Sequence, residues 1–407
     1  MRICQLKNKI LLLLFVIYVP LFAGELMYND MFAMEQIKDS LIADGWEYRT
    51  EFPYFRKTAE TGSSPKSCTF SPDGKYVYVT LLGQRHVAVQ IYTVNPFEKI
   101  KTIYPGCDDP AQDYGYAEGV FRERDGNFWF TRMTTADYFI YDPKADSLQP
   151  GRYTGGDWTK SLEFSPNQEQ VAMSHWVSNR ISIFDVERHR VIRNLKTSQI
   201  PRGLAWIGND TLAVTLYGGA NSTDCGIEVF DVRTGKKVET MLEHRSAMRD
   251  IRFDPKKKML YYDDMRFALV YKYDWIKRET VATEEVDSHP NTIRLTPDGK
   301  YLFVSCRGPN NPKGYTLPSP RDGDVVIIDT ESMTTLTSWA QGNQPVGLDI
   351  SPDGCFLATT DFMDKHVNLY VISDPRAAEK VEDSFSMLLN RLGGIYEMGT
   401  RSFWWWW

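Results

Sequence analysis

The chain has 407 residues, 42% hydrophobic and 13% aromatic, which is enough apolar material to bury a large core. The formal net charge of −6 argues against nonspecific nucleic-acid binding through a basic surface, while leaving room for a local basic patch. Beyond Cys4, Cys68, Cys107, Cys225, Cys306 and Cys355 are an odd, scattered set with no CxxC and no zinc-ligand spacing. They read as small apolar fillers rather than as a disulfide framework.

The chain opens with Arg2, Lys7 and Lys9, followed by an apolar run over residues 10–22 and the small pair Ala23 and Gly24. That order reads as a secretory signal cleaved near Ala23, and the run is short for a membrane span. The alternative is an uncleaved anchor. The expected location is extracytoplasmic, periplasmic or secreted. Residues 25–48 form an extension with a short amphipathic helix predicted over 31–42.

Residues 49–374 are organised by a repeat. Six-residue lead-ins ending in a large apolar residue occur seven times, starting at Pro65, Tyr116, Thr159, Pro201, Met248, Pro290 and Pro345. Their spacings of 51, 43, 42, 47, 42 and 55 residues bracket the length of a propeller blade. A turn follows each, most clearly Ser71-Pro72-Asp73-Gly74, Thr296-Pro297-Asp298-Gly299 and Ser351-Pro352-Asp353-Gly354. There Pro presets φ and Gly supplies positive φ. A β-rich run comes next, and a third run ends in Asp142, Asp185, Asp231, Asp274 or Asp329, with Thr93 and Val371 in that place at the two ends. The repeated Asp residues need no catalytic role, because an Asp after a strand caps a turn. Each unit is four strands, and seven such sheets packed radially bury what one cannot.

The segment SPDGKYVYVTL, residues 71–81, resembles the signature of YVTN β-propeller repeats, with Leu81 where the name-giving motif has Asn. TPDGKYLFVSCRG and SPDGCFLATTD are similar to the same block. The resemblance spans residues 50–374 and implies an all-β, seven-bladed propeller with short helical N- and C-terminal extensions. That family includes binding proteins and enzymes, so the resemblance speaks to fold more than to function. The blades lack a closing WD dipeptide, and the WD40 family fits less well.

The last repeat lacks a fourth strand, while residues 50–58 sit 16 residues' spacing ahead of the first lead-in, as a fourth strand does elsewhere. The N-terminal segment is therefore expected to complete the last blade as its outermost strand, where Pro53 is tolerable at an edge. Residues 375–407 hold a predicted helix over 376–393 and a tail ending in Trp404, Trp405, Trp406 and Trp407. The tail could bury against the propeller, make peripheral contact with a membrane, or do neither.

Extra residues fall in the connections around 106–114, 217–225 and 308–324, all expected on one face of the ring. Insertions in repeat proteins often gather on the binding face, although longer loops can also just shield the pore. The second lead-in residues reach that face: Lys66, Ala117, Lys160, Arg202, Arg249, Asn291 and Val346. Four of the seven are basic, and the loops add Arg85, His86, Arg132, His175, Trp176, Arg180, Arg266 and Arg307, with Tyr315 in the long sixth loop. The ligand-binding set is then Lys66, His86, Arg132, Lys160, His175, Trp176, Arg202, Arg249, Asn291, Arg307 and Tyr315. A ring of cations over a concave pore focuses an anion, and Arg suits carboxylate or phosphate. The alternative is a solvated basic fringe paired with Glu118, Asp250, Asp263, Asp264 and Asp361.

Linear catalytic motifs are missing: there is no HExxH, GxSxG, P-loop or dinucleotide fingerprint. Glu118, Asp250 and Asn291 could together offer oxygen ligands to a divalent ion, as in propeller lactonases, but no metal ligand is assigned. Two functions stay open. One is an extracytoplasmic binding module, expected to be monomeric, for a small anion, a glycan or an envelope protein, with no nucleic-acid partner. The other is a metal-dependent propeller hydrolase or lyase acting at the same pore mouth. The cofactor is unknown.

Overall fold

The computed structural model describes residues 26–28, 30–218, 224–244 and 247–376. The predicted signal (1–24), most of the fourth-repeat loop, and the predicted C-terminal helix and tryptophan tail lie outside them. Seven antiparallel sheets are formed, six from consecutive strands and one from the last three strands joined by two from the N-terminal segment. Their innermost strands are Pro65–Phe70, Tyr116–Arg122, Thr159–Phe164, Pro201–Gly208, Met248–Asp254, Pro290–Leu295 and Pro345–Ile350. Each inner strand touches the next, and the seventh touches the first, so the ring closes. The chain is a seven-bladed β-propeller whose core lies between the blades, in apolar clusters drawn from successive sheets.

Local chemistry explains the elements. In the turns after the inner strands, Ser71, Thr296 and Ser351 donate to Asp73, Asp298 and Asp353, while Tyr76, Tyr301 and Phe356 return main-chain N–H groups to those hydroxyls. The Asp residues after the third strands cap turns as expected. Asp142, Asp185, Asp231, Asp274 and Asp329 each accept main-chain N–H bonds from two to three residues ahead, at 2.8 to 3.1 Å. Cys68, Cys225, Cys306 and Cys355 are buried, in keeping with their expected role as fillers.

Closure differs in detail from expectation. The closing strand is Phe55–Glu60, antiparallel to His366–Val371 with Phe55 opposite Val371 and Glu60 opposite His366. It starts later than residue 50 because Pro53 lies in the preceding turn, outside the strand. Nor is it the edge, since Glu47–Tyr48 pairs along its outer side and makes a fifth strand. Helix α1, Met31–Ala43, is capped by Asp30 through the Ala33 N–H at 2.8 Å. It buries Met34, Ile37 and Leu41 into the cluster of the closing blade, giving that blade a second apolar layer.

Candidate functional site

Every inner strand shifts register after its first residue, so its second residue stands unpaired in a bulge. A bulge re-aims a side chain. Here it affects the same position seven times, beside the connections at one end of the pore. Those connections share a face: Trp176 N–H donates to the Trp158 carbonyl at 3.1 Å, His86 N–H to Asp113 at 2.9 Å and Phe362 N–H to Gln344 at 3.0 Å.

The cations Lys66, Lys160, Arg202 and Arg249 converge there, and all are buried. Arg202 donates to Glu118 at 2.6 Å and to the Ser161 hydroxyl, and Lys66 approaches the same carboxylate at 3.9 Å. Arg249 donates twice to the amide oxygen of Asn291, at 3.0 and 2.7 Å, and Asn291 donates on to the Val346 carbonyl at 2.9 Å. Lys160 has no hydrogen bond or ion pair among the described residues; its ammonium lies 4.6 Å from the Trp176 ring and 6.0 Å from Trp158. The Nε atoms of Arg202 and Arg307 are also buried without an acceptor. Among the described residues Glu118 is thus the one carboxylate in contact with these four cations, and it meets only Lys66 and Arg202. Burial, reinforced by Arg202 and Arg249, pushes the Lys160 ammonium down to about 7. Burial likewise takes Lys66 well below the usual range, against the pull of Glu118. Burial opposes ionisation of Glu118, but Arg202 and Lys66 hold it below the usual carboxylate range.

Aromatic rings stand around this floor. Trp176 stacks on Tyr217 at 5.4 Å, and Arg249 lies 5.3 Å from the Tyr217 ring. In the sixth-blade loop Arg307 donates to Gln344 at 2.7 Å and lies 5.6 Å from the Tyr315 ring. Gln344 donates to the carbonyls of Tyr315 and Leu317, each at 2.9 Å, and Ser319 N–H donates to Asn343 at 2.8 Å. That loop is fastened to the connection entering the last blade.

Three predicted residues are placed otherwise. Arg132 is buried against Asp113 at 3.3 Å, Asp137 at 2.5 Å and the Gly106 carbonyl at 2.7 Å. His86 meets the other oxygen of Asp113 at 3.0 Å. Both hold the 106–114 connection in place. His175 is fully buried between Thr159 and Ser182, 2.9 Å from each hydroxyl, and burial lowers it to about 3, so the ring is neutral.

A second charged layer, overlooked in the sequence, lines the channel. Asp250 accepts from Arg294 at 3.0 Å and Arg252 at 3.3 Å; Asp349 accepts from Arg294 at 3.2 Å; Glu163 lies 3.7 Å from Arg252. Glu163, Arg252, Arg294 and Asp349 all hold the fifth place of their lead-ins, a signal available to anyone reading that column. Glu118 Oε1, Asp250 Oδ2 and Asn291 Oδ1 are each taken up by guanidinium or ammonium groups. Among the described residues no group of three His, Cys, Asp or Glu side chains is arranged to hold a metal.

No family model matches the chain. It is 28% identical over 344 residues to Antigen Lp49 of Leptospira interrogans, covering 83% of this chain and 73% of that protein. Among solved structures it resembles a chain of Kuenenia stuttgartiensis hydrazine synthase, with TM-score 0.65, 16% identity, and coverage of 77% of this chain and 97% of that one. A chain of a mitotic checkpoint complex gives TM-score 0.64 at 15% identity, with coverage of 78% and 91%. At such identities the structural likeness shows the fold alone. No helix among the described residues is long and apolar enough to cross a membrane.

Proposed function

We propose that this chain is an exported YVTN-type propeller that binds an anionic ligand at its basic pore mouth. One observation carries the reading: Lys66, Lys160, Arg202 and Arg249 are gathered and buried in a protein of net charge −6, and among the described residues Glu118 is the only carboxylate in contact with any of them. Buried like charges repel, and an anion entering the mouth relieves that repulsion where water is scarce. The channel layer beneath sets Asp250, Asp349 and Glu163 against Arg252 and Arg294, so it holds no excess of cations and the unpaired positive charge is confined to the mouth. The secretory pattern before Gly24 and the word antigen in the relative's name support an extracytoplasmic location.

The test is titration of residues 25–407 with citrate, phosphate and galacturonate, read by calorimetry and melting temperature. Binding raises the melting temperature with ligand concentration. Arg202→Gln and Lys160→Gln should each weaken binding by about tenfold or more, roughly 1.4 kcal/mol. Absence of any shift with all three anions would sink the reading.

A further inference from the structure

The ligand must satisfy more than the cations. Trp158, in the connection entering the third blade, is 48% exposed, and Tyr315, in the sixth-blade loop, is 59% exposed. Three blades apart in a ring of seven, they stand on opposite sides of the mouth. A small anion on the floor between them cannot touch both.

We propose that the ligand is an acidic oligosaccharide: a chain of pyranose rings containing a uronate, whose carboxylate rests on Lys160, Arg202 and Arg249 while its outer rings lie against Trp158 and Tyr315. This rests on the anion-binding reading above. A pyranose presents an apolar C–H face and a polar edge. An exposed aromatic face covers the first and leaves the hydroxyls to water and polar side chains. The floor is equipped for one carboxylate: Lys160 lacks an acceptor and Arg202 keeps a buried N–H free. The aromatic walls are held ready. Gln344 and Asn343 fasten the Tyr315 loop, and Trp158 is tied to Trp176 through the main chain. Ordering lost on binding is therefore small.

Other chains fit less well. A nucleic acid carries a phosphate at every residue and needs a cationic track along its length. Here the cations gather in one central cluster. An extended peptide seeks main-chain partners, and the carbonyls of Tyr315 and Leu317 are already taken by Gln344.

Calorimetry and tryptophan fluorescence on residues 25–407 separate the outcomes. The probes are oligogalacturonate hexamer, hyaluronan hexasaccharide, galacturonate, maltohexaose and an oligothymidylate of similar length. At least one acidic hexamer should bind ten or more times more tightly than galacturonate and quench fluorescence, while maltohexaose stays weak. Trp158→Ala and Tyr315→Ala should each remove most of that gain while changing galacturonate affinity far less. If galacturonate binds through Lys160 but neither acidic hexamer binds more tightly, the oligosaccharide proposal is overturned and the anion site stands. If no anion binds, both fall. Tighter binding of oligothymidylate than of either acidic hexamer also overturns it.

Discussion

A single hydroxyl, the penultimate residue of the second strand, joins one blade to the next. Thr80, Ser174, Thr215 and Ser305 donate to the main-chain carbonyls of Ala117, Arg202, Arg249 and Val346 at 3.0 to 3.2 Å. Thr80, Ser174 and Thr215 also accept an N–H from their own inner strand. In the fifth blade Asp263 holds this place. One oxygen accepts the Asp250 N–H at 2.5 Å, and the other is buried without a donor among the described residues. Burial, then the charge of Asp250, lifts its pKa to about 8; Asp264 adds to this and Arg249 opposes it. A carboxyl can donate as the hydroxyls do only while protonated. Its folded pKa lies above the unfolded value of about 4. The stabilisation is therefore complete below pH 4 and lost as pH rises through about 8. Asn resembles the neutral acid, so Asp263→Asn should flatten the fall in melting temperature between about pH 4 and 8. Lys160, lowered to about 7, acts only from the top of that window upward and with the opposite sign. The difference between variant and wild type isolates Asp263, and identical curves would refute its protonation.

At the scale of elements, the long connections on one face divide by what holds them. The 106–114 connection is a structural plug: a short 3-10 helix, Pro110–Gln112, delivers Asp113 to buried Arg132, to His86 and to the Tyr116 hydroxyl. Removing one partner of a buried pair leaves a charge unmet. Asp113→Ala should therefore cost about 3 kcal/mol in urea denaturation, with little effect on ligand affinity. The 308–324 loop is the opposite case. Its ties run to Gln344, Asn343, Arg307 and Asp287 around the mouth, and four blades manage with shorter connections. Replacing it with a short Gly-containing turn should preserve the fold and remove the Tyr315 contribution to binding. A shortened protein with undiminished affinity for every ligand would reduce the loop to packing.

For the whole molecule, closure is the vulnerable point. The strand Phe55–Glu60 carries the last blade's outer pairing across more than 300 residues of sequence, and α1 packs behind it. Deleting residues 46–60 should open the ring and unfold it cooperatively. Deleting residues 395–407 should cost far less, a contrast read directly from urea midpoints. Equal midpoints would mean that the seam is not what holds the ring shut.

Blade number, turn positions and the capping role of the Asp residues were legible in the sequence because each is decided within a few residues. Pro, Gly, Ser and Asp act on their own turn, and alternation acts on its own strand. The second-place cations were legible too, as one column of a repeat. The meaning of that column was not. Arg202 meets Glu118 across 84 residues and Arg294 meets Asp250 across 44. Whether a lysine is paired, as Lys66 is, or left among rings, as Lys160 is, depends on which blades face each other across the axis. His86, Arg132 and His175 looked like ligand residues because they are polar and lie in or beside loops. The folded ring spends them on Asp113, Thr159 and Ser182. Local sequence thus sets the blades, whereas charge balance at the mouth is a sum over all seven inner strands and exists only once the ring has closed.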